Sequence, residues 1–234
     1  MTRWITAFAL LTACTLSHAD GVIEINQACV PTGCFDGDST GFPVRISETG
    51  SYRLTSNLDT RPDTVTAIDI EADRVTLDLN GFSVIGPQTC SYDSNASDVI
   101  CDLPTPFAHR LIIVEGANNT LRNGTVKGAF SNGVELRGPG PHVVENIHVT
   151  ENGSRGLTVR QELDSSPAVI VRNSTASVNE GEGFQGIDGL VRFDGNLALR
   201  NGNRGIISGI CSNNTSVENG TNYQSCTDLG GNAP

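Results

Sequence analysis

The chain alternates apolar and polar residues in short runs instead of spacing its apolar residues at helical intervals. In the run 67–71, Ile68 and Ile70 flank the polar Asp69. A period of two places successive side chains on opposite faces of a strand. We therefore predict short strands, each with one apolar face turned toward a core. The predicted inward pairs are Ile68 and Ile70, Ile112 and Val114, Val134 and Leu136, and Leu157 and Val159.

A motif ending in glycine repeats along the chain. Gly133, Gly156, Gly183 and Gly205 follow one another at intervals of 23, 27 and 22 residues. Before the last three glycines, an asparagine stands four positions earlier and a small or β-branched residue stands seven positions earlier. A period in the twenties made of short strands is typical of a solenoid, in which each unit packs on its neighbours.

A second asparagine series accompanies the repeat. Its predicted members are Asn80, Asn123, Asn146, Asn173, Asn196, and Asn213 or Asn214. Asparagine tolerates a left-handed backbone at a turn, and stacked amides can bond from one coil to the next. Leucine-rich repeats share this period but carry a helix in each unit, and no such pattern occurs here. The expected fold is an all-β parallel β-helix of about six coils.

The pattern divides the chain into four parts. We assign residues 1–19 to a signal peptide, 20–64 to an N-terminal cap, 65–210 to the coils and 211–234 to a C-terminal cap. Residues 87–106 interrupt the period and form an insertion. Caps are expected because a solenoid otherwise leaves an open sheet edge at each end.

The first nineteen residues have the features of an export signal. Arg3 precedes a mostly apolar run, and Ser17-His18-Ala19 supplies small residues for cleavage before Asp20. The apolar run is too short to span a membrane. The run Leu11-Thr12-Ala13-Cys14 supports an alternative, a lipid anchor on an acylated Cys14. Both alternatives predict an extracytoplasmic protein, secreted or periplasmic in the first case and anchored to the envelope in the second.

Cysteine usage supports an oxidising compartment. Beyond Cys14, six cysteines fall into three local pairs, each bracketing a turn-rich segment. Although six cysteines allow 15 pairings, we favour pairing between neighbours. The predicted disulfides are Cys29–Cys34, Cys90–Cys101 and Cys211–Cys226. The formal net charge of −11 argues against nucleic acid as a partner.

Three stretches resemble a known group of proteins. The runs 41–46 (GFPVRI), 50–58 (GSYRLTSNL) and 75–82 (VTLDLNGF) are similar to exported bacterial right-handed parallel β-helix repeat proteins. That group is a branch of the pectate-lyase-like superfamily. The resemblance implies a right-handed solenoid. It also implies that any activity uses a groove outside one sheet, where lyases combine a base with a cation, often calcium.

The outward positions of one sheet supply candidate site residues. One column reads Asp69, Ile113, Glu135, Thr158 and Gln185, and its neighbour reads Glu71, Glu115, Arg137 and Arg160. The candidate bases are Arg137 and Arg160. The candidate glycan contacts are Glu115, Glu135, Thr158 and Gln185. The candidate calcium ligands are Glu71, Glu115 and Glu135, because calcium prefers oxygen ligands. An ordinary cross-strand ion pair between Glu115 and Arg137 is the structural alternative.

Two functions fit these residues. The leading hypothesis is a non-catalytic domain that binds glycan or cell-envelope polysaccharide without a cofactor. The alternative is a small lyase or epimerase acting on uronate-containing glycans with calcium. Neighbouring carboxylates weaken the alternative, because they hold an arginine protonated and make it a poorer base. His109, His142 and His148 are dispersed and form no recognisable catalytic set.

Overall fold

The computed structural model describes residues 21–102, 109–160, 169–186 and 190–234. Apart from a 3-10 turn at Val30–Thr32, these residues form strands and their connections. The first strands are β1 (Ile23–Ile25), β2 (Val44–Ile46), β3 (Gly50–Leu54), β4 (Leu58–Asp59), β5 (Ile68–Ile70), β6 (Val75–Asp78), β7 (Ser83–Ile85), β8 (Cys90–Asp93) and β9 (Asp98–Cys101). The central strands are β10 (Ile112–Val114), β11 (Thr120–Lys127), β12 (Val134–Leu136), β13 (Val143–Thr150), β14 (Leu157–Val159), β15 (Val169–Arg172) and β16 (Thr175–Ser177). The last strands are β17 (Phe184–Gln185), β18 (Val191–Asp194), β19 (Leu197–Leu199), β20 (Arg204–Ser212), β21 (Thr215–Val217) and β22 (Thr221–Asp228).

Within the described residues, all strands except β8 and β9 stack as three parallel sheets. The first sheet contains β2, β5, β10, β12, β14, β17 and the first parts of β20 and β22. The second contains β1, β3, β6, β15, β18, the first parts of β11 and β13, and the second parts of β20 and β22. The third contains β4, β7, β16, β19, β21 and the second parts of β11 and β13. The chain visits the sheets in this order once per coil, which confirms the predicted β-helix.

The apolar alternation fills the interior of the solenoid. Ile68 stacks on Ile112, which stacks on Val134, and the row continues through Leu157 and Phe184. These side chains are fully buried and belong to one continuous hydrophobic core. All eight residues predicted to point inward are buried. Burying an aliphatic side chain contributes roughly 1.5–3 kcal/mol, so the stacked rows are the main source of stability.

The solenoid extends beyond the predicted 65–210 range at both ends. β2 and β4 lie in the segment assigned to the N-terminal cap. They pair in register with β5 and β7 of the predicted coils. At the other end, β22 continues the first and second sheets. At the N-terminal end, Val44 and Ile46 are fully buried and continue the core. At the C-terminal end, Tyr223 and Cys226 of β22 are only partly buried and pack against it.

One asparagine ladder runs through the buried corner between the third and first sheets. Asn152 Nδ2 donates to Asn179 Oδ1 at 2.8 Å. In the same way, Asn179 donates to Asn201, and Asn201 donates to Asn219. The same Oδ1 atoms also accept backbone N–H groups of the preceding coil. Amide stacking was predicted for the second asparagine series, but this continuous ladder is formed by the asparagines of the glycine motif.

The second asparagine series divides into two columns. Asn80, Asn123, Asn146, Asn173 and Asn213 adopt a left-handed backbone, as predicted for this corner. Asn196 does not belong with them, because Gly195 occupies the left-handed position in its coil. Instead, Asn196 Nδ2 donates to Asn214 Oδ1 at 3.1 Å, and Asn214 donates to Asn232 at 2.9 Å. The prediction placed Asn196 one residue out of register.

Three disulfides join the predicted cysteine pairs. Cys90 and Cys101 close the antiparallel β8–β9 hairpin within the predicted insertion, of which residues 103–106 lie outside the described residues. Cys211 and Cys226 belong to strands of adjacent coils, so their bond crosses from coil to coil at the end of the core. The predicted signal peptide and Cys14 lie outside the described residues.

Candidate functional site

The outer face of the first sheet brings the candidate residues together. Backbone pairing places Asp69, Ile113, Glu135, Thr158 and Gln185 in successive coils, as predicted. The neighbouring column is also in register. The backbone N–H groups of Glu115, Arg137 and Arg160 each donate to a carbonyl of the preceding coil, those of Ile70, Val114 and Leu136. Coils stack about 4.8 Å apart, so these side chains form a continuous surface.

Glu135 is the centre of this surface. Its side chain is 0% exposed although it points away from the core. Arg137 Nε donates to it at 2.8 Å, Arg110 Nε at 2.6 Å and Asn132 Nδ2 at 2.7 Å. Arg160 Nε lies 3.8 Å from the same carboxylate. Burial favours the protonated acid, but the hydrogen bonds from Arg137 and Arg110 outweigh it and lower the pKa of Glu135.

Both candidate bases, Arg137 and Arg160, lie beside the carboxylate of Glu135. The hydrogen bond to Glu135 raises the pKa of Arg137, and a second contact to Glu115 at 3.2 Å acts in the same direction. Arg137 must lose a proton before it can act as a base, and its raised pKa makes that loss less favourable than for an unpaired arginine. Arg137 and Arg160 remain 36% and 50% exposed, so both guanidinium groups reach solvent. This arrangement is suited to binding an anion or a hydroxyl group.

The opposite end of the surface is acidic. Glu71 forms an ion pair with Arg45 at 2.8 Å, and Asp69 lies beside Glu71 and Glu115. Burial, together with these two carboxylates, raises the pKa of Asp69. One carboxylate oxygen of Asp69 is buried and has no hydrogen-bond partner. The outer face therefore changes from acidic to basic along the solenoid axis.

The predicted calcium ligands are each engaged with arginine. Glu71 pairs with Arg45, Glu115 with Arg137, and Glu135 with Arg110 and Arg137. Among the described residues, no group of three His, Cys, Asp or Glu side chains is arranged to hold a metal ion. Calcium binding by Glu71, Glu115 and Glu135 would require breaking these ion pairs, so the residues present do not fit that ion as they stand.

Two of the predicted glycan contacts are inaccessible. Thr158 is 1% exposed and its hydroxyl has no hydrogen-bond partner, and Glu135 is fully enclosed. Both residues lie on the outward side of their strands, as predicted, but neither side chain is accessible to solvent. For Glu135 the reason is that Arg110, Asn132 and Arg137 close over its carboxylate. Gln185 and Glu115 are at least partly exposed and remain available as contacts.

The histidines are not grouped at this face. His142 is buried, where its Nδ1 accepts the Asn119 backbone N–H at 3.3 Å and its Nε2 donates to the Gly138 carbonyl at 3.0 Å. His148 belongs to the third sheet and contacts the Ser177 hydroxyl at 2.9 Å. Burial lowers the pKa of both rings. His142 therefore has a structural role in a corner of the solenoid.

Sequence reasoning missed a third polar column at this face. Its members stand two positions before the first inward residue of each strand and are Arg110, Asn132, Arg155, Glu182 and Arg204. Glu182 accepts Arg155 Nε and Arg204 Nη1, each at 2.8 Å, which repeats the Glu135 arrangement at a later coil. The constant offset from the inward residues was the signal that would have revealed it.

Comparison with known proteins agrees with the architecture. The model of a family described as right handed beta helix region matches residues 79–221, well over half of the chain. No curated protein and no solved structure matches significantly. Within the described residues, none of the helical structure is long and apolar enough to cross a bilayer. With three parallel sheets wound once per coil and this match, the chain belongs to the right-handed β-helix family.

Proposed function

We propose that this protein is an extracytoplasmic, non-catalytic β-helix domain that binds glycan on the outer face of its first sheet. The observation that carries the proposal is the buried Glu135, which holds Arg137 and places Arg160 beside it with both guanidinium groups reaching solvent. Preorganised donors lose little side-chain entropy on binding, which favours affinity. Planar guanidinium groups match the geometry of carboxylates and also donate to hydroxyl groups.

The charge distribution favours a carboxylate-bearing glycan at the basic end. Arg110, Arg137 and Arg160 surround Glu135, with Glu115 as a second carboxylate, so the local charge is positive although the chain is acidic overall. Among the described residues, the exposed large hydrophobic side chains are Val22, Ile100 and Leu229. Recognition by hydrogen bonds and ion pairs is therefore better supported than stacking of sugars on aromatic rings.

The three disulfides support the extracytoplasmic location in this proposal. Three disulfides persist in oxidising environments and are rare in the cytosol. The predicted signal peptide at 1–19 supports export, and the lipid anchor at Cys14 is its alternative. Intact-mass measurement of the mature protein distinguishes cleavage before Asp20 from an acylated Cys14.

Binding is tested by calorimetric titration with polygalacturonate, alginate and a neutral glucan. We expect binding to an acidic polymer that weakens as salt is added and is reduced at least tenfold by Arg137→Ala or Arg160→Ala. Arg61→Ala is the matched control, since Arg61 is also an exposed, ion-paired arginine but lies after β4 of the third sheet. Equal loss in the control, or no loss in the two site variants, would contradict the proposal.

The lyase or epimerase alternative is tested with the same polymers in the presence of calcium. Formation of unsaturated product is followed by absorbance. Product formation that Arg137→Ala or Arg160→Ala abolishes, with unchanged melting temperature, would show that the face is an active site. The raised pKa of Arg137 leads us to expect no such product.

A further inference from the structure

The outer face of the second sheet carries an unbroken alternation of charge. Backbone register aligns one outward residue from each of eight consecutive strands. In order along the solenoid these residues, here called the charge ladder, are Glu24, Arg53, Asp78, Arg122, Glu145, Arg172, Asp194 and Ser212. Every neighbouring pair from Glu24 to Asp194 has opposite sign.

The ladder consists of ion pairs that remain open to solvent. Arg53 contacts Glu24 at 2.9 Å, Arg122 contacts Asp78 at 3.0 Å, and Arg172 contacts Glu145 at 2.6 Å. The three arginines are between 42% and 50% exposed. Their guanidinium groups therefore keep donors available outside the sheet, and a guanidinium has more donors than one carboxylate contact uses.

A second outward column on the same sheet is largely β-branched. Seven of its members stand two residues before a residue of the charge ladder, and Thr227 continues the column in β22. The column contains Ser51, Thr76, Thr120, Val143, Ile170, Arg192, Ile210 and Thr227. Val143, Ile170 and Ile210 are partly exposed although they point outward. These three side chains add a small apolar area beside the charge ladder, and specific interfaces combine apolar and charged contacts in this way.

The alternation is self-complementary under a twofold rotation. A twofold axis parallel to the strands, passing between two neighbouring coils, brings the second sheets of two copies face to face with their solenoid axes antiparallel. This operation places each ladder opposite the other and each β-branched column opposite its equivalent. Because the signs alternate, each charge then faces an opposite charge. With the axis between β11 and β13, Arg122 faces the second copy's Glu145, and Asp78 faces the second copy's Arg172.

We propose that the outer face of the second sheet is the contact surface of a symmetric dimer of this chain. Isologous twofold dimers are the commonest oligomers, and opposed charges set their register. Seven spacings of about 4.8 Å between the eight strands, with strands about 13 Å long, give an area on the order of 400 Å² per copy. That area is at the low end for specific interfaces, so the dimer is weak and reversible. It leaves the first sheets of both copies free, so the proposal stands apart from glycan binding.

The test is sedimentation equilibrium of the whole protein over a range of protein and salt concentrations. We expect a monomer–dimer equilibrium that shifts toward monomer as salt is added. Arg122→Glu combined with Arg172→Glu makes the middle of the ladder acidic, and Asp78→Arg combined with Glu145→Arg makes it basic. Each double variant should remain monomeric at tenfold higher concentration than the natural chain requires for dimerisation, and an equimolar mixture of the two should dimerise again.

Matched controls keep the outcome interpretable. Arg61→Glu combined with Arg200→Glu changes the same number of exposed, ion-paired arginines away from this face and should leave the dimer intact. Circular dichroism melts show whether each variant is folded. A natural chain that is monomeric at every concentration, a dimer indifferent to the ladder variants, or a mixture that stays monomeric would each overturn the proposal.

Discussion

The buried asparagine ladder makes a sharp prediction about stability. Asn179 is 0% exposed, and its Oδ1 accepts both the backbone N–H and the Nδ2 of Asn152. Its Nδ2 donates to Asn201 Oδ1 at 2.8 Å and to the Val149 carbonyl at 3.1 Å. Asn179→Ala removes all four contacts while leaving the backbone conformation available. The coils on both sides lose partners at the same time.

The magnitude follows from the groups left without a partner. The side-chain amide and the backbone N–H of Asn152 lose the acceptor that Asn179 supplies, in a site that water does not reach. Each unsatisfied buried donor costs about 1–3 kcal/mol, so we expect a loss of about 4 kcal/mol. For a domain of this size, 1 kcal/mol corresponds to about 2–4 °C, so the melting temperature should fall by about 8–16 °C.

Thermal melts followed by circular dichroism measure the effect. Asn146→Gly is the control, because Asn146 is exposed, has a φ of 54° and donates only to Asn123 Oδ1 at 3.3 Å. Gly195 occupies the same left-handed position two coils later, so glycine is compatible there and the change should cost less than about 1 kcal/mol. If Asn179→Ala were as mild as Asn146→Gly, the ladder would not contribute as argued.

Three further predictions concern buried charge, protonation and covalent linkage. Glu135→Gln should destabilise the fold by about 3–5 kcal/mol in thermal melts because it leaves arginines without their buried partner, whereas Glu115→Gln, at an exposed pair, should cost under about 1 kcal/mol; equal effects would contradict the central role of Glu135. The pKa of His142 is lowered in the folded state, so its neutral ring stabilises the protein fully above its unfolded pKa of about 6.5, and this contribution is lost as pH falls from there toward the folded value. Melts between pH 8 and about 5 should show this loss, which His148 shares because burial lowers its pKa as well, and His142→Asn should reduce the loss; a profile that the substitution leaves unchanged would refute the assignment. Cys211→Ser with Cys226→Ser opens a 15-residue separation and should cost about 3 kcal/mol in the chain-entropy model, and peptide mapping without reduction should recover all three local pairs.

The amino-acid sequence determined the coil, its inward rows and the order of the first sheet's outward columns. A period of two fixes which side of a strand each residue occupies, and the repeat aligns equivalent strands, so Ile68, Ile112 and Val134 were assigned correctly. The three disulfides were predictable because partners lie close along the chain. These features depend on local spacing, which the sequence contains.

Tertiary structure alone decided which outward side chains are accessible and which residues meet across coils. Glu135 and Thr158 lie on the outward side of their strands and yet are buried. Burial depends on neighbours contributed by other coils, such as Arg110 for Glu135. Stacking also depends on corner lengths, which vary: Gly195 takes the left-handed position and shifts Asn196 into another column. For the same reason the charge ladder on the second sheet emerged only once the register of every strand was known, since its residues are 18 to 44 positions apart in sequence and adjacent only in the folded solenoid.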